Sequence, residues 1–396
     1  MTAGTAIFCL AVFFIKFAEP DNERRYHSRM KTAIVILNWN GKKYLEKFIP
    51  GVLRSLGPDD RLIVADNASS DGSVELLKER FPEAGTMLFS RNWGYTGGYN
   101  RALMELQAEY FILLNSDIDV PEGWIRPLEQ WMDSHPECGV CAPKLHSCSD
   151  RNMFEYAGAA GGLIDRYGYP YCRGRVMKRV EEDRGQYDTP ENVFWASGAC
   201  LMIRSELYRK LGGLDEKFFA HMEEIDLCWR VQLLGYKVTV VPSSTVYHVG
   251  GGSLPNDSPK KLYLNYRNNL LMLRKNLAKT LALQFYKDGK SRQESVTLGM
   301  KKARRTIFIR MLMDGAACMV YLFTLKWSYC KSVIKAHHDF RKTRDRVTKD
   351  DIAAFLKRAG KSVSVTGMSN RWIVPAALFY GKNIFRRLMS DGDNNT

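Results

Sequence analysis

The sequence predicts an α/β protein with a mostly parallel central sheet, followed by a basic amphipathic helical region. Two observations carry this. From Thr32 to Asp117, short continuous apolar runs alternate with stretches of helical spacing, and such strands separated by helices mean a parallel sheet covered on both faces. Charge is then spread unevenly: of the net +15, residues 301–396 carry 20 Lys and Arg against 7 Asp and Glu. The first 300 residues are therefore close to neutral. That excludes an enzyme whose catalytic domain tracks nucleic-acid phosphates.

In order, "TAIVILNW" reads as a strand, "KKYLEKFIPGVLRSL" as a helix, "RLIVADNAS" as a strand and "SVELLKERF" as a helix. "TMLFSRN" is the third strand, a helix starts near Tyr99 in "YNRALMELQ", and "YFILLNSD" is the fourth strand. Every strand finishes in polar residues: Asn38 and Asn40, Asp66 and Asn67, Asn92, then Asn115, Asp117 and Asp119. In such sheets ligands bind beyond the carboxyl ends of the strands. Turns need Asn or Asp locally, but nothing local requires all four strands to end this way. The glycines of "NWGYTGGYN", among them Gly94 and Gly97, are expected to let backbone approach a bulky ligand. A nucleotide diphosphate would use this edge. The dinucleotide fingerprint is absent, since the first strand runs into "NWNGKK".

Asp117 and Asp119 end "FILLNSDIDV" at i and i+2, so they share one face of an extended segment and can meet one cation. Farther on, Glu223, Glu224 and Asp226 open a predicted helix, with Asp226 and Arg230 at i,i+4 spacing, and His248 follows the apolar "KVTVVP" beside Gly250. Singly, the carboxylates read as a helix N-terminus that favours negative charge. His248 alone reads as a strand cap.

Seven segments in register resemble the family 2 glycosyltransferases of GT-A fold, over roughly Thr32 to Lys275. These are "VILNWNGKKYLEKFIPGVL", "VADNASSDGS", "RNWGYTGGYNRAL", "LLNSDIDV", "SGACLMIRSELYRKLGGLDEKFF", "EEIDLCWR" and "HVGGGS". The resemblance implies transfer of a sugar from a nucleotide diphosphate to an acceptor hydroxyl. It places Asn38, Asn40, Asp66, Asn92, Gly94, Gly97, Asn100 and Asp117 on the donor, and Gly198, Asp226 and Arg230 on the acceptor side. Asp117, Asp119 and His248 would hold Mg²⁺ or Mn²⁺, and Glu224, with Glu223 beside it, would be the base. The family's Glu-Asp is here Glu223-Glu224, so the base is one methylene longer. The Q-x-x-R-W of processive synthases has no full match, the nearest being "MSNRW", and a single-addition, inverting enzyme is expected.

The expected partners are a nucleotide-diphosphate sugar, a lipid-linked or polysaccharide acceptor and an anionic membrane surface, with no nucleic acid. Rhamnose is a frequent sugar for such sequences. A sugar-nucleotide-binding scaffold without turnover is the alternative, raised by the Glu224 departure; a nucleotide-sugar pyrophosphorylase would need a Gly-rich basic loop after the first strand, which is missing. Residues 281–396 are expected to hold the enzyme on the cytoplasmic membrane face, or else to pack on the catalytic domain of residues 30–280. Arg310 and Asp314 break the longest apolar stretch, which argues against a full span. Residues 1–29 are expected to be an apolar extension, a weak anchor or an upstream stretch of reading frame. Cys138 and Cys141, near His146 and Cys148, offer zinc ligands, but "CGVCAPKL" reads equally as a strand ending at Pro143.

Overall fold

The computed structural model describes residues 16–17, 30–250, 258–385 and 388. The expected extension of residues 1–29 lies outside them apart from β1, Lys16–Phe17. The predicted alternation is present as β2 (Met30–Asn38), α1 (Lys42–Arg54), β3 (Arg61–Asp66), α2 (Ser73–Arg80), β4 (Gly85–Leu88), α3 (Gly94–Glu105) and β5 (Ala108–Leu114). There follow β6 (Ile118–Asp119), α4 (Ile125–Ser134), β7 (Cys138–Ser147), the short strands β8 (Gly162–Asp165), β9 (Pro170–Cys172), β10 (Arg175–Val176), β11 (Arg179–Val180) and β12 (Glu191–Asn192), then β13 (Cys200–Arg204), α5 (Ser205–Lys210), α6 (Glu223–Leu233) and β14 (Lys237–His248). The main sheet runs β1-β4-β3-β2-β5-β13-β7-β14-β12. Neighbours from β4 to β5 are parallel, as are β7 and β14. β13 is antiparallel to both β5 and β7.

Residues such as Ile34, Ile36, Ile112 and Leu114 pack on α1, α2 and α4, and Val35, Phe111 and Leu113 pack on the opposite face with α3. This explains the unbroken apolar strands: both faces are covered. The strand at "CGVCAPKL" does not stop at Pro143 but continues to Ser147, pairing with β14 on both sides of an irregularity at Pro143. Its Cys138 and Cys141 are buried free thiols, and no group of three or more metal-ligating side chains occurs among the described residues.

The boundary expected at residue 280 falls inside a helix. α7 (Pro259–Lys287) is capped by Ser258, with Pro259 in its first turn. It packs against α8 (Arg292–Phe323) and α9 (Trp327–Thr343), with α10 (Lys349–Ala359) beside them. Leu270, Leu277, Met300, Phe340 and Phe355 share one core with the sheet residues Val140 and Val238. After α10 the chain returns as β15 (Met368–Ser369), parallel to β8 in a second small sheet, and α11 (Ile373–Tyr380) closes over it. The helices are therefore packed on the α/β part of the chain along their inner side.

Candidate active site

The edge beyond β5 is assembled by strand pairing. Cys200 of β13 lies opposite Leu114, and the Asn115 N–H donates to the Ala199 carbonyl at 2.9 Å. Gly198 and Ala199 therefore stand beside the residues that lead into Asp117. From the other side β6 pairs with the end of β14, Asp119 opposite Tyr247 and Ile118 opposite His248, and the Val249 N–H donates to the Asp117 carbonyl at 3.0 Å.

This register brings His248 Nε2 to 3.2 Å from Asp117 Oδ1, while Nδ1 lies 3.2 Å from Glu155 Oε2 without hydrogen-bond geometry. Burial opposes charge on His248, but the Asp117 and Glu155 carboxylates outweigh it and raise its pKa to about 10. Asp119 Oδ2 accepts from Arg151 Nη2 at 2.5 Å. Each aspartate is thus balanced by a neighbouring cation. The two hard carboxylates fit a divalent ion in charge and donor type, and His248 would join them only as neutral imidazole, its proton released as the ion binds; the three do not converge into a coordination shell here.

Across Gly198 lies the second group of acids. A Cβ on Gly198 would meet Glu224 Cβ at 3.5 Å and the Tyr95 hydroxyl at 3.1 Å, and that hydroxyl donates to the Gly198 carbonyl at 2.7 Å. Glu223 is buried and Glu224 half-buried, and each keeps one enclosed carboxylate oxygen without a partner. Burial raises the Glu224 pKa to about 7. Burial and the neighbouring Glu224 push Glu223 well above the usual carboxylate range. Two adjacent acids do not ionise together, so Glu224 is the one poised to exchange a proton near neutrality.

The turn before α6 is strained. Phe219, His221 and Met222 all have φ between 66° and 71°, a region that costs non-glycine residues of the order of 1 kcal/mol or more each. α7 holds it in place. Buried Asn268 donates through Nδ2 to the carbonyls of Phe218 (3.0 Å), Ala220 (2.8 Å) and His221 (2.8 Å), and Arg267 Nη2 donates to those of Lys217 and Phe218. Asn268 is thus a positioning residue for Glu224. Asn268→Ala is expected to lower kcat by about tenfold, since a buried hydrogen-bond partner contributes ~1–3 kcal/mol. The pH at which activity half-falls should move, while donor Kd stays unchanged; an unmoved pH profile would make the clamp purely structural.

The donor-side positions divide. Asp66 accepts from Asn38 Nδ2 at 2.9 Å and from the Ser69 N–H at 2.8 Å, leaving buried Asn38 Oδ1 without a partner. Asn40 Oδ1 accepts from the Ser70 N–H, and Asn92 Oδ1 takes bonds from Asn67 and the Gly94 N–H. These side chains build the loops of the edge. The glycines are also needed by the fold itself, and the helix they open, α3, starts at Gly94, not near Tyr99. A Cβ at Gly94, whose φ is +73°, would stand 2.6 Å from the Phe219 ring, and one at Gly98 would stand 2.6 Å from Leu37. Gly97 likewise lies tight against Trp93 Cβ. Close approach within the fold requires them.

Asn100, Asp226 and Arg230 are taken up by the fold. Asn100 bonds the Leu214 backbone and the Tyr208 hydroxyl. Asp226 is fully buried and held by Arg230 (2.7 Å), Lys275 (3.1 Å) and Asn276 (2.8 Å), the charges of Arg230 and Lys275 overcoming burial to lower its pKa. Arg230 also binds the carbonyls of Leu211 and Gly213. A carboxylate so enclosed has no free face for an acceptor. Glu155, Tyr95 and Asn268 were not anticipated; only Asn268 left a signal, a polar residue on an otherwise apolar helical face in "LNYRNNLLML".

The model of the glycosyl transferase family 2 matches residues 33–212. The chain is 24% identical over 256 residues to the N-acetylglucosaminyl-diphospho-decaprenol L-rhamnosyltransferase of Mycobacterium tuberculosis, covering 61% of this chain and 83% of that protein. It is 24% identical to a dTDP-rhamnosyl transferase of Shigella flexneri (54% and 71% covered) and 21% identical to a rhamnosyltransferase of Escherichia coli (54% and 82%). Among solved structures, a mannosyltransferase of Pyrobaculum calidifontis in complex with GDP-Man and Mn²⁺ superposes with a TM-score of 0.45 at 15% identity, over 81% of this chain and 89% of that one.

Proposed function

We propose that this chain, whose residues 33–212 match the glycosyl transferase family 2 and whose relatives include rhamnosyltransferases, moves one sugar, with inversion, from a nucleoside diphosphate to a hydroxyl of a lipid-linked or polysaccharide acceptor. The names of its relatives favour a deoxythymidine-diphosphate rhamnose donor and a polyprenyl-linked acceptor, and we place the reaction at the cytoplasmic membrane face. The observation that carries the reading is that four of the nine unpartnered buried side-chain polar atoms among the described residues, Asn38 Oδ1, Thr96 Oγ1, Glu223 Oε2 and Glu224 Oε2, belong to the segments that end β2 and open α3 and α6. Native interiors rarely leave such atoms unpaired, so a polar ligand is their natural complement.

In this mechanism Asn38 Oδ1 accepts from the nucleotide base. Glu224 takes the proton of the acceptor hydroxyl as its oxygen bonds to the anomeric carbon from the face opposite the departing nucleoside diphosphate. Glu223 stays protonated and can donate to the acceptor. Asp117, Asp119 and His248 would hold a divalent cation; when bound, it would offset charge developing on the leaving diphosphate.

Glu224 must be ionised to accept the proton, and its pKa is raised to about 7. Transfer should therefore rise with pH through about 7 and fall on acidification, as more of the base carries a proton. Measured kcat from about pH 5 to pH 9 with a saturating donor should show this acidic limb. A limb near pH 4, where an ordinary carboxylate titrates, would count against Glu224.

A second reading, binding without turnover, is motivated by the longer Glu224 where the family has Asp. Product analysis by mass spectrometry, set beside donor binding by calorimetry, separates the two. Binding without product in any donor and acceptor combination would favour the scaffold.

A further inference from the structure

α8 is inverted in its second half, with its charges inward and its apolar side chains outward. Arg310 and Asp314 are buried and paired at 2.8 Å; Arg310 also donates to Asn269 Oδ1 at 2.7 Å, and His337 Nε2 lies 3.2 Å from Asp314. Outward stand Phe308, Leu312, Val320 and Phe323, which are 59–78% exposed. The turn into α9 continues the surface with Leu325 at 73% and Trp327 at 57%, and α9 adds Ile334 at 61%. From Met311 to Leu325 the only charged residue is the buried Asp314. An exposed apolar surface of this continuity marks an interaction site.

Charge decides the partner. Exposed cations flank the apolar stretch on both sides: Lys301, Lys302, Arg304 and Arg305 before it, Lys326, Lys331 and Lys335 after it. A second copy of the same surface would bring these like charges together, whereas anionic lipid headgroups would pair with them and the acyl boundary would take the aromatic and aliphatic side chains. α8 is long and apolar enough to cross a bilayer. Its inner face, however, is fixed to the fold through Arg310, Asn269 and the Tyr167 carbonyl, so it can lie in the interface but not thread through it. The same anchor joins it to the C-terminal segment, because the Tyr167 ring packs edge-on to Trp372 at 5.5 Å and α11 presents Leu378 and Phe379 at 74% and 87% exposure.

We propose that the α8–α9 hairpin is a monotopic membrane-docking surface that seats the enzyme on an anionic bilayer. This deepens the membrane-acceptor reading above. It requires no turnover, so its failure and the failure of the catalytic assignment can be told apart.

The test is co-sedimentation of the full chain with vesicles of phosphatidylcholine alone or mixed with phosphatidylglycerol. Wild type should pellet with the mixed vesicles, weakening as salt is raised. The triple variant F323D/L325D/W327D should lose at least about tenfold in partition, since three interfacial apolar contacts are replaced by charge. These side chains are exposed, so its melting temperature should match wild type. Independently of that variant, the fluorescence difference between wild type and W327F should shift to the blue on adding mixed vesicles. The proposal is overturned by wild type staying in solution, by binding that ignores lipid charge, by an unshifted Trp327, or by a dimer that the triple substitution dissolves.

Discussion

Replacing Glu224 by Gln is expected to lower kcat by about 10²- to 10⁴-fold, the range a positioned carboxylate supplies to proton removal, or about 3–5 kcal/mol of barrier. Donor binding should be nearly intact. The argument rests on three features: Glu224 is the more accessible of the two adjacent acids, it sits across Gly198 from the segment that pairs with the Asp117 loop, and burial brings its pKa to about 7. Glu223→Gln is expected to be milder, because Glu223 is held protonated and an amide reproduces a neutral carboxyl. Steady-state kinetics with donor affinity measured separately check both substitutions. If Glu223→Gln has the larger effect, the base is Glu223.

Removing the divalent cation should have the second large effect. Chelation, or Asp119→Ala, is expected to cost about 10²-fold or more in transfer, since a cation at the leaving diphosphate supplies several kcal/mol. The present partners of the carboxylates, Arg151 on Asp119 and His248 beside Asp117, show how strongly this corner draws positive charge. Added Mn²⁺ or Mg²⁺ should restore wild type but not the Asp119→Ala protein. Full activity of that variant after chelation would remove the metal from the account.

The fold was legible where one physical signal governs it. Continuous runs such as Ile34–Leu37 and Phe111–Leu114 are buried on both faces, and that two-sided burial is what an unbroken apolar strand encodes. Polar strand ends likewise marked the edge on which Asp66, Asp117 and Asp119 occur. What escaped was the destination of individual polar side chains. Asp226 and Arg230 have the same spacing whether they face an acceptor or each other, and only the arrival of Lys275 and Asn276 from a helix some fifty residues on encloses them. The packing demand on the glycines of α3 was hidden for a related reason, since Phe219 and Leu37, remote in sequence, fill the space their missing side chains leave. Glu155 reaches His248 only through the pairing of β7 with β14, which no local pattern announces. In the C-terminal region composition showed basic and apolar character but not its sidedness, because tertiary contacts turned Arg310 and Asp314 inward.

The central claim is single sugar transfer by this chain, and product mass is its most direct test. Purified protein would be incubated with Mn²⁺, a panel of nucleoside-diphosphate sugars including the deoxythymidine-diphosphate form of rhamnose, and polyprenyl-linked acceptors in detergent. The lipids would then be analysed by mass spectrometry. The account predicts one donor that adds a single sugar to one acceptor, with the product absent in Glu224→Gln and no longer chains at extended times. Donor binding with no added sugar on any acceptor, or a ladder of repeated additions, would contradict it.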